Sequence, residues 1–345
     1  AEHARAVCAD ACPEPVQVRN LFATDTYVCG ISLDRRSLWC WGESGPGVVG
    51  ERLAESGGAA IQLPIDSLAA PSSGPDFPPA EVFLGADGEG GRLCFNTDRG
   101  LECIPRTDGA AATVQTPSTL AVTDSFVCTG ESLVTCLDAM RRLTLTGGGL
   151  SGLSLIAATR GYVCAAIGRN VICATERRDC GVGRPCEAFS TCESGQCTAR
   201  PLTELPAPAI RLEAGWGRVC AVLSTRDVHC WDVTAGGNPE PAPLGSPAGG
   251  PTKALDVSVG ESTICYRDPK TSEVVCAGLR RETGWYALVD PVVVSTDPVD
   301  ELVAGPDGLA CVVRSEDARV VCTRPLGADD ASAAMLGTGD RKSVV

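Results

Sequence analysis

Hydrophobic and polar positions along the chain fall into a unit that returns seven times. In each, an alternating stretch leads to an apolar residue, a cysteine, a polar turn, an aliphatic residue and a second cysteine. The residue before the first cysteine is Val28, Leu93, Val127, Val163, Val219, Ile264 or Ala310, apolar every time. Two residues before the second cysteine stand Leu38, Leu101, Val134, Val171, Val228, Val274 and Val320. Upstream stretches such as Ile210-Arg211-Leu212-Glu213-Ala214 and Leu255-Asp256-Val257-Ser258-Val259 show the period-2 alternation of half-buried strands.

Seven to ten residues separate the cysteines of a unit, with turn residues such as Asp34-Arg35, Asp98-Arg99-Gly100 or Pro269-Lys270 at the midpoint. Residues equidistant from a tight turn face each other in an antiparallel pair, within disulfide reach. The spacing therefore predicts hairpins stapled by Cys29–Cys40, Cys94–Cys103, Cys128–Cys136, Cys164–Cys173, Cys220–Cys230, Cys265–Cys276 and Cys311–Cys322. A Gly/Pro-rich connection and usually one more short strand follow, as at Ile61–Ile65 and Val292–Val294, giving about four strands per unit. First cysteines recur about every 47 residues. Four-stranded units at this period predict an all-β fold, a seven-bladed β-propeller with one hairpin disulfide per blade.

Three kinds of segment depart from the repeat. Residues 1–12 form a polar leader holding Cys8 and Cys12, which close a small loop on each other or pair elsewhere. The propeller spans 13–326 and a tail 327–345. Residues 51–80, rich in Gly, Ala, Ser and Pro, read as a solvated loop. Residues 177–199 form an insert in blade four holding Cys180, Cys186, Cys192 and Cys197. It reads as a two-disulfide microdomain of open pairing, with a four-thiolate metal site as the alternative. Pro13–Val18 resembles a strand that should follow a hairpin, so Val16–Val18 is expected to complete blade seven beside Cys322. Loops of a blade alternate between the two faces of the disc. The insert is therefore expected on the face opposite the turns inside the cysteine pairs.

Twenty cysteines with two histidines argue for an oxidising compartment rather than metal ligation, hence for a secreted, extracellular or cell-surface protein, with the periplasm as the alternative. The net charge of −14 excludes a nucleic-acid or anionic-membrane surface. No apolar run is long enough to span a bilayer. Aromatic residues make up only 4%, so the core is expected to rest on Val, Leu, Ala and Cys.

The run Cys40–Gly50, CWGESGPGVVG, preceded by YVCGISLDRRSLW, resembles the regulator-of-chromosome-condensation repeat family. Fragments return as Gly215–Trp231 and Gly260–Gly278. The resemblance implies a seven-bladed propeller of secreted bacterial type; such members include propellers that bind and inhibit β-lactamase. The histidine usual before the family's first cysteine is replaced, for example by Tyr27, Phe126 and Tyr162.

Catalytic chemistry is not legible. His3 sits in the leader and His229 lies beside Cys230 in a hairpin strand. The glycines of Gly42–Gly50 lack the Lys-Ser/Thr of a phosphate loop and read as turn glycines. Asp87–Gly91 is one acidic turn without the further oxygens calcium needs. No cofactor or metal is expected, and the chain is read as a non-enzyme. Trp216 and Trp285 are the candidate binding anchors, if exposed on connecting loops rather than packed between blades. The expected function is an extracellular, bacterial, protein-binding or self-assembling surface scaffold. Its alternative is a secreted inhibitor of an extracellular enzyme, and after that a lectin or hydrolase.

Overall fold

The computed structural model describes residues 17–323 outside 24–26, 35, 43–46, 57–59, 65–80, 86–91, 98–99, 105–118, 123–125, 131–133, 139–141, 145–154, 160–161, 176–189, 194–195, 200–203, 234–239, 247, 261 and 306–307; blades two and three are described by their backbone. Among these residues, seven antiparallel sheets of three or four strands follow one another along the chain. Their first strands are Val18–Ala23, Glu81–Gly85, Thr119–Val122, Leu155–Thr159, Ala209–Gly215, Asp256–Val259 and Val299–Ala304. Each of these strands lies against the first strand of the next sheet, and the seventh lies against the first. Seven blades thus close into a ring around their inner strands.

The cysteine register follows the turn-centred spacing. Cys29 faces Cys40, Cys94 faces Cys103, Cys128 faces Cys136, Cys164 faces Cys173, Cys220 faces Cys230, Cys265 faces Cys276 and Cys311 faces Cys322. Disulfides join Cys29–Cys40, Cys164–Cys173, Cys220–Cys230, Cys265–Cys276 and Cys311–Cys322, with Cα atoms 4.0–4.1 Å apart. This is the close spacing of a non-hydrogen-bonded antiparallel pair. Turn chemistry sets the register: in blade one Ser32 Oγ donates to Asp34 Oδ1 (2.5 Å), which also accepts from Arg36 N (3.0 Å). In blade six Asp268 Oδ1 accepts from Lys270 N (2.7 Å) and Thr271 N (3.1 Å). These are Asx turns, in which a short carboxylate replaces missing ladder partners.

The disulfides also fill the blade interfaces. Cys164 and Cys173 pack with Leu212, Val219 and Trp231 of blade five. Cys220 and Cys230 pack with Val257, Ile264 and Tyr286 of blade six. The blade-six pair meets Val299 and Ala310 of blade seven, and the blade-seven pair meets Val18, Val28 and Trp41 of blade one. The cystines of blades four to seven therefore face the following blade, where their sulfurs substitute for the large apolar side chains the composition lacks. Among the described residues the buried aromatics are Trp41, Trp231 and Tyr286 at blade interfaces and Tyr27 within blade one. Inner strands approach so closely that glycine is obligatory at the contact of blades five and six. A Cβ on Gly215 would sit 2.0 Å from the Val259 carbonyl oxygen.

Three expectations change. The solvated loop and the turn glycines after Cys40 are in part a helix, Gly47–Glu55. Its Val49 and Leu53, four apart and buried, dock beside Tyr27, Leu38 and Leu63, giving that stretch an apolar face of its own. The clasp is also different. Val18 begins the inner strand of blade one and pairs with Ser32, so the expected clasp is met only in part, by Gln17 and the Val18 amide, and Val16 lies outside the described residues. Beside the packing of blade one on blade seven, a backbone bridge between Gln17 and Arg319 joins the ends, supported by Val18 N donating to Ala318 O (3.0 Å) and Gln17 Nε2 donating to Asp317 O (3.0 Å). The contact falls at the start of the last strand, whose other edge carries the expected Cys311–Cys322 pair. Finally, the described part of the insert is a hairpin, Ser190–Glu193 with Gln196–Ala199, in which Cys192 faces Cys197. Its second strand lies beside Asn170–Thr175, the outer strand of blade four, so the hairpin is set against the blade edge. Cys8, Cys12, Cys180, Cys186, Asp87–Gly91, the leader and the tail 327–345 lie outside the described residues.

Candidate functional site

Both candidate tryptophans occur at strand-joining turns on one face of the disc, in adjacent blades. Trp216-Gly217 joins the inner strand of blade five to Arg218–Leu223, with Gly215 facing Arg218 across the turn. Trp285 opens the outer strand of blade six, Trp285–Ser295, across the turn from Glu282. The first turn precedes Cys220 and the second follows Cys276, so strand alternation puts both opposite the turns inside the cysteine pairs. Both side chains are half-buried.

Trp216 is held at φ 55° and Gly217 at φ 74°. Positive φ at both central residues makes the tight two-residue hairpin turn that matches strand twist. Glycine meets that demand freely; a tryptophan does not, because its Cβ crowds the backbone in the left-handed region. Neighbouring contacts hold the turn there. Gly217 N donates to Thr159 Oγ1 of blade four (2.9 Å), and Val233 N donates to Gly217 O (2.8 Å).

Beside these turns lies a polar cluster the sequence does not announce. Arg218 and Asp232 face each other across blade five, and Arg218 Nε donates to Asp232 Oδ1 (2.9 Å). Arg281 and Tyr286 face each other across the blade-six hairpin, and Arg281 Nη1 donates to Tyr286 Oη (2.5 Å). The Tyr286 ring is fully buried with both guanidinium groups over it, 5.2 Å from Arg218 and 4.8 Å from Arg281. Such cation–π contacts strengthen where water is excluded. Asp232 Oδ2 lies 3.6 Å from Arg281 Nη1, so a single carboxylate serves two arginines. Burial first, then the Asp232 charge, hold the Tyr286 phenol well above its usual range, so the ring stays neutral. The sequence signals were the glycines bracketing Trp216 and the equal distance of Arg218 and Asp232 from the blade-five hairpin turn. The approach of two blades brings the pairs together.

A second charged group sits on the inner strands. Arg211 Nε donates to Glu213 Oε1 (3.2 Å) and lies 2.8 Å from Asp256 Oδ1 of blade six. Crowding by the surrounding inner strands, opposed by Arg211 and reinforced by the Asp256 charge, pushes the Glu213 carboxyl up to about 7, although its side chain keeps 36% of its surface in water. His229 lies in the third strand of blade five, where burial lowers its affinity for a proton despite the nearby Asp227 charge. The neighbouring Cys230 sulfur is bonded to Cys220 and is not a free thiol. Among the described residues no three His, Cys, Asp or Glu side chains group as a metal site, and no helix is long and apolar enough to cross a membrane.

No protein-family model matches this chain, and no curated protein matches it. Solved structures do. Hsv2p of Kluyveromyces lactis is 7% identical, with 91% of this chain and 94% of that chain covered at a TM-score of 0.53. Human WBSCR16 is 13% identical over 84% and 86% of the two chains, also at 0.53. A chain of the Mitotic Checkpoint Complex is 12% identical over 91% and 93%, at 0.52. At these identities the likeness is one of fold. Together with the closed ring of seven sheets, it makes this chain a disulfide-stapled β-propeller.

Proposed function

We propose that this chain is a non-enzymatic, extracellular protein-binding propeller of the regulator-of-chromosome-condensation repeat type. On this reading it is of secreted bacterial origin and engages a protein partner or further copies of itself. The face bearing Trp216 and Trp285 makes the contact, and the insert 177–199 belongs to the same binding region. The observation that carries the reading is Trp216, a large aromatic held half-buried at φ 55° where glycine would cost nothing. Strained, rigidly supported residues cluster at binding sites, and Trp, Tyr and Arg dominate the energetic centres of protein interfaces. Here all three types lie within one turn-rich patch on a scaffold of stapled hairpins. Cystines fit an oxidising compartment, where such staples persist.

Native mass spectrometry with electron microscopy of protein taken from its source tests the reading. A complex or polymer that dissociates in Trp216→Gly, with the fold retained, is the expected result. A monomer free of any bound protein at its native concentration would overturn it.

A further inference from the structure

The cluster between blades five and six is unbalanced in charge, and the imbalance points to a ligand. Arg218 and Arg281 supply two positive charges against the one carboxylate of Asp232, while Tyr286 is neutral. Two other arginines are better matched, whereas Arg267 also keeps a buried Nε without an acceptor among the described residues. Arg211 has both Glu213 and Asp256, Arg314 has both Asp317 and Asp297, and Glu282 beside Arg281 is turned to Arg280 at 2.7 Å. The side chains of Arg218 and Arg281 keep 16% and 22% of their surface in water, so the site is recessed yet reachable. Arg218 uses Nε for Asp232, and its Nη1 is buried without an acceptor among the described residues. Arg281 meets both of its partners through Nη1 alone. Both guanidinium groups are held over the Tyr286 ring.

We propose that Arg218 and Arg281 form a docking site for a carboxylate on an acidic segment of a protein partner, flanked by the Trp216 and Trp285 turns. Two guanidinium forks suit a planar carboxylate, which accepts paired N–H donors. One excess positive charge suits one anionic group. On a chain of net charge −14 any anion is repelled at longer range, so the contact has to form at short range within the recess. The inference rests on the protein-binding reading and names the chemistry recognised.

Titration of the full chain with an acetylated, amidated triglutamate peptide tests it, with triglutamine and inorganic phosphate as separate arms. Saturable binding of triglutamate, absent for triglutamine and weakened by salt, is expected. Arg281→Gln should weaken it roughly tenfold, the size of one charge-assisted contact. Asp232→Asn should tighten it, because the competing internal carboxylate is gone. That gain is a readout that loss of fold cannot mimic. No saturable triglutamate binding, equal binding of triglutamine, or phosphate binding as tightly as the peptide would each overturn the proposal. So would an Asp232→Asn protein that keeps its melting temperature and binds no tighter. The peptide result stands apart from native mass spectrometry, so a failed recess and a failed protein-binding reading are distinguishable.

Discussion

At the residue scale the informative positions are those where a side chain sits against its own preference. Glycine ordinarily costs up to about 1 kcal/mol relative to alanine within a structured element. At Trp216, with φ 55°, that order should reverse. We expect Trp216→Gly to be more stable than Trp216→Ala by about 1 kcal/mol, because only the alanine keeps a Cβ in the left-handed region. Chemical denaturation of the two variants measures the difference, and an alanine variant as stable as the glycine one would contradict the strained turn. Glu213 carries the second residue-scale prediction. Its folded-state pKa of about 7 lies above the ordinary 4.5, so the folded chain binds the extra proton. Its contribution to stability is therefore complete below about pH 4.5, falls as pH rises towards 7 and is flat above. Glu213→Gln removes that dependence. The variant should gain on the parent between pH 4.5 and 7 and hold its advantage at higher pH, read as the difference in denaturation midpoint. A difference that does not change with pH would show that this partly exposed carboxyl is unshifted.

At the element scale the hairpin and its cystine act as one unit. Cys220 and Cys230 are fully buried and pack against blade six, so their bond does more than shorten a loop. Replacing both with alanine should cost at least about 2 kcal/mol, the chain-entropy value for a loop of roughly ten residues, before any loss of packing. Thermal or denaturant unfolding in oxidising buffer gives the number, and a cost below about 1 kcal/mol would mean the hairpin persists when unfolded. The same facing register joins Cys94 with Cys103, Cys128 with Cys136 and Cys192 with Cys197. Peptide mapping without reduction should recover these three pairs, and a link from any of them to another blade would break the hairpin-staple scheme. The helix Gly47–Glu55 shows where pattern reading stops at this scale. Its two buried apolar residues, Val49 and Leu53, are too few among glycines to announce a helix. They become one only because blade one offers Tyr27 and Leu38 to dock against.

At the scale of the whole molecule, blades one and seven hold each other by packing. Val18, Val28 and Trp41 share a core with Val303, Leu309 and Val313, and one bridge between Gln17 and Arg319 seals it. Deleting residues 1–18 removes the buried Val18 and that bridge together. The melting temperature should fall in a single cooperative transition, because a ring that loses one closing contact loosens every interface in turn. An unchanged melt would mean the ring is held by its other interfaces alone. Close inner-strand contacts such as Gly215 against the Val259 carbonyl make the ring intolerant of added volume at those points.

The division between sequence and tertiary structure follows the range of the forces involved. Alternation, turn residues and equal spacing of cysteines about each turn are local, so the sequence by itself determined the hairpins, the cystine register and the repeat that makes a propeller. It also brought Trp216 and Trp285 forward as aromatic residues on connecting loops, while the strained φ of Trp216 came only from the structure. Which way each cystine faces was not local, nor was the meeting of Arg218 and Asp232 with Arg281 and Tyr286. Those pairs lie more than 45 residues apart in the chain and converge only because blade six packs on blade five. Ring closure is of the same kind: Gln17 meets Arg319 because seven wedge-shaped sheets use up a full turn, a geometric condition that no single unit contains.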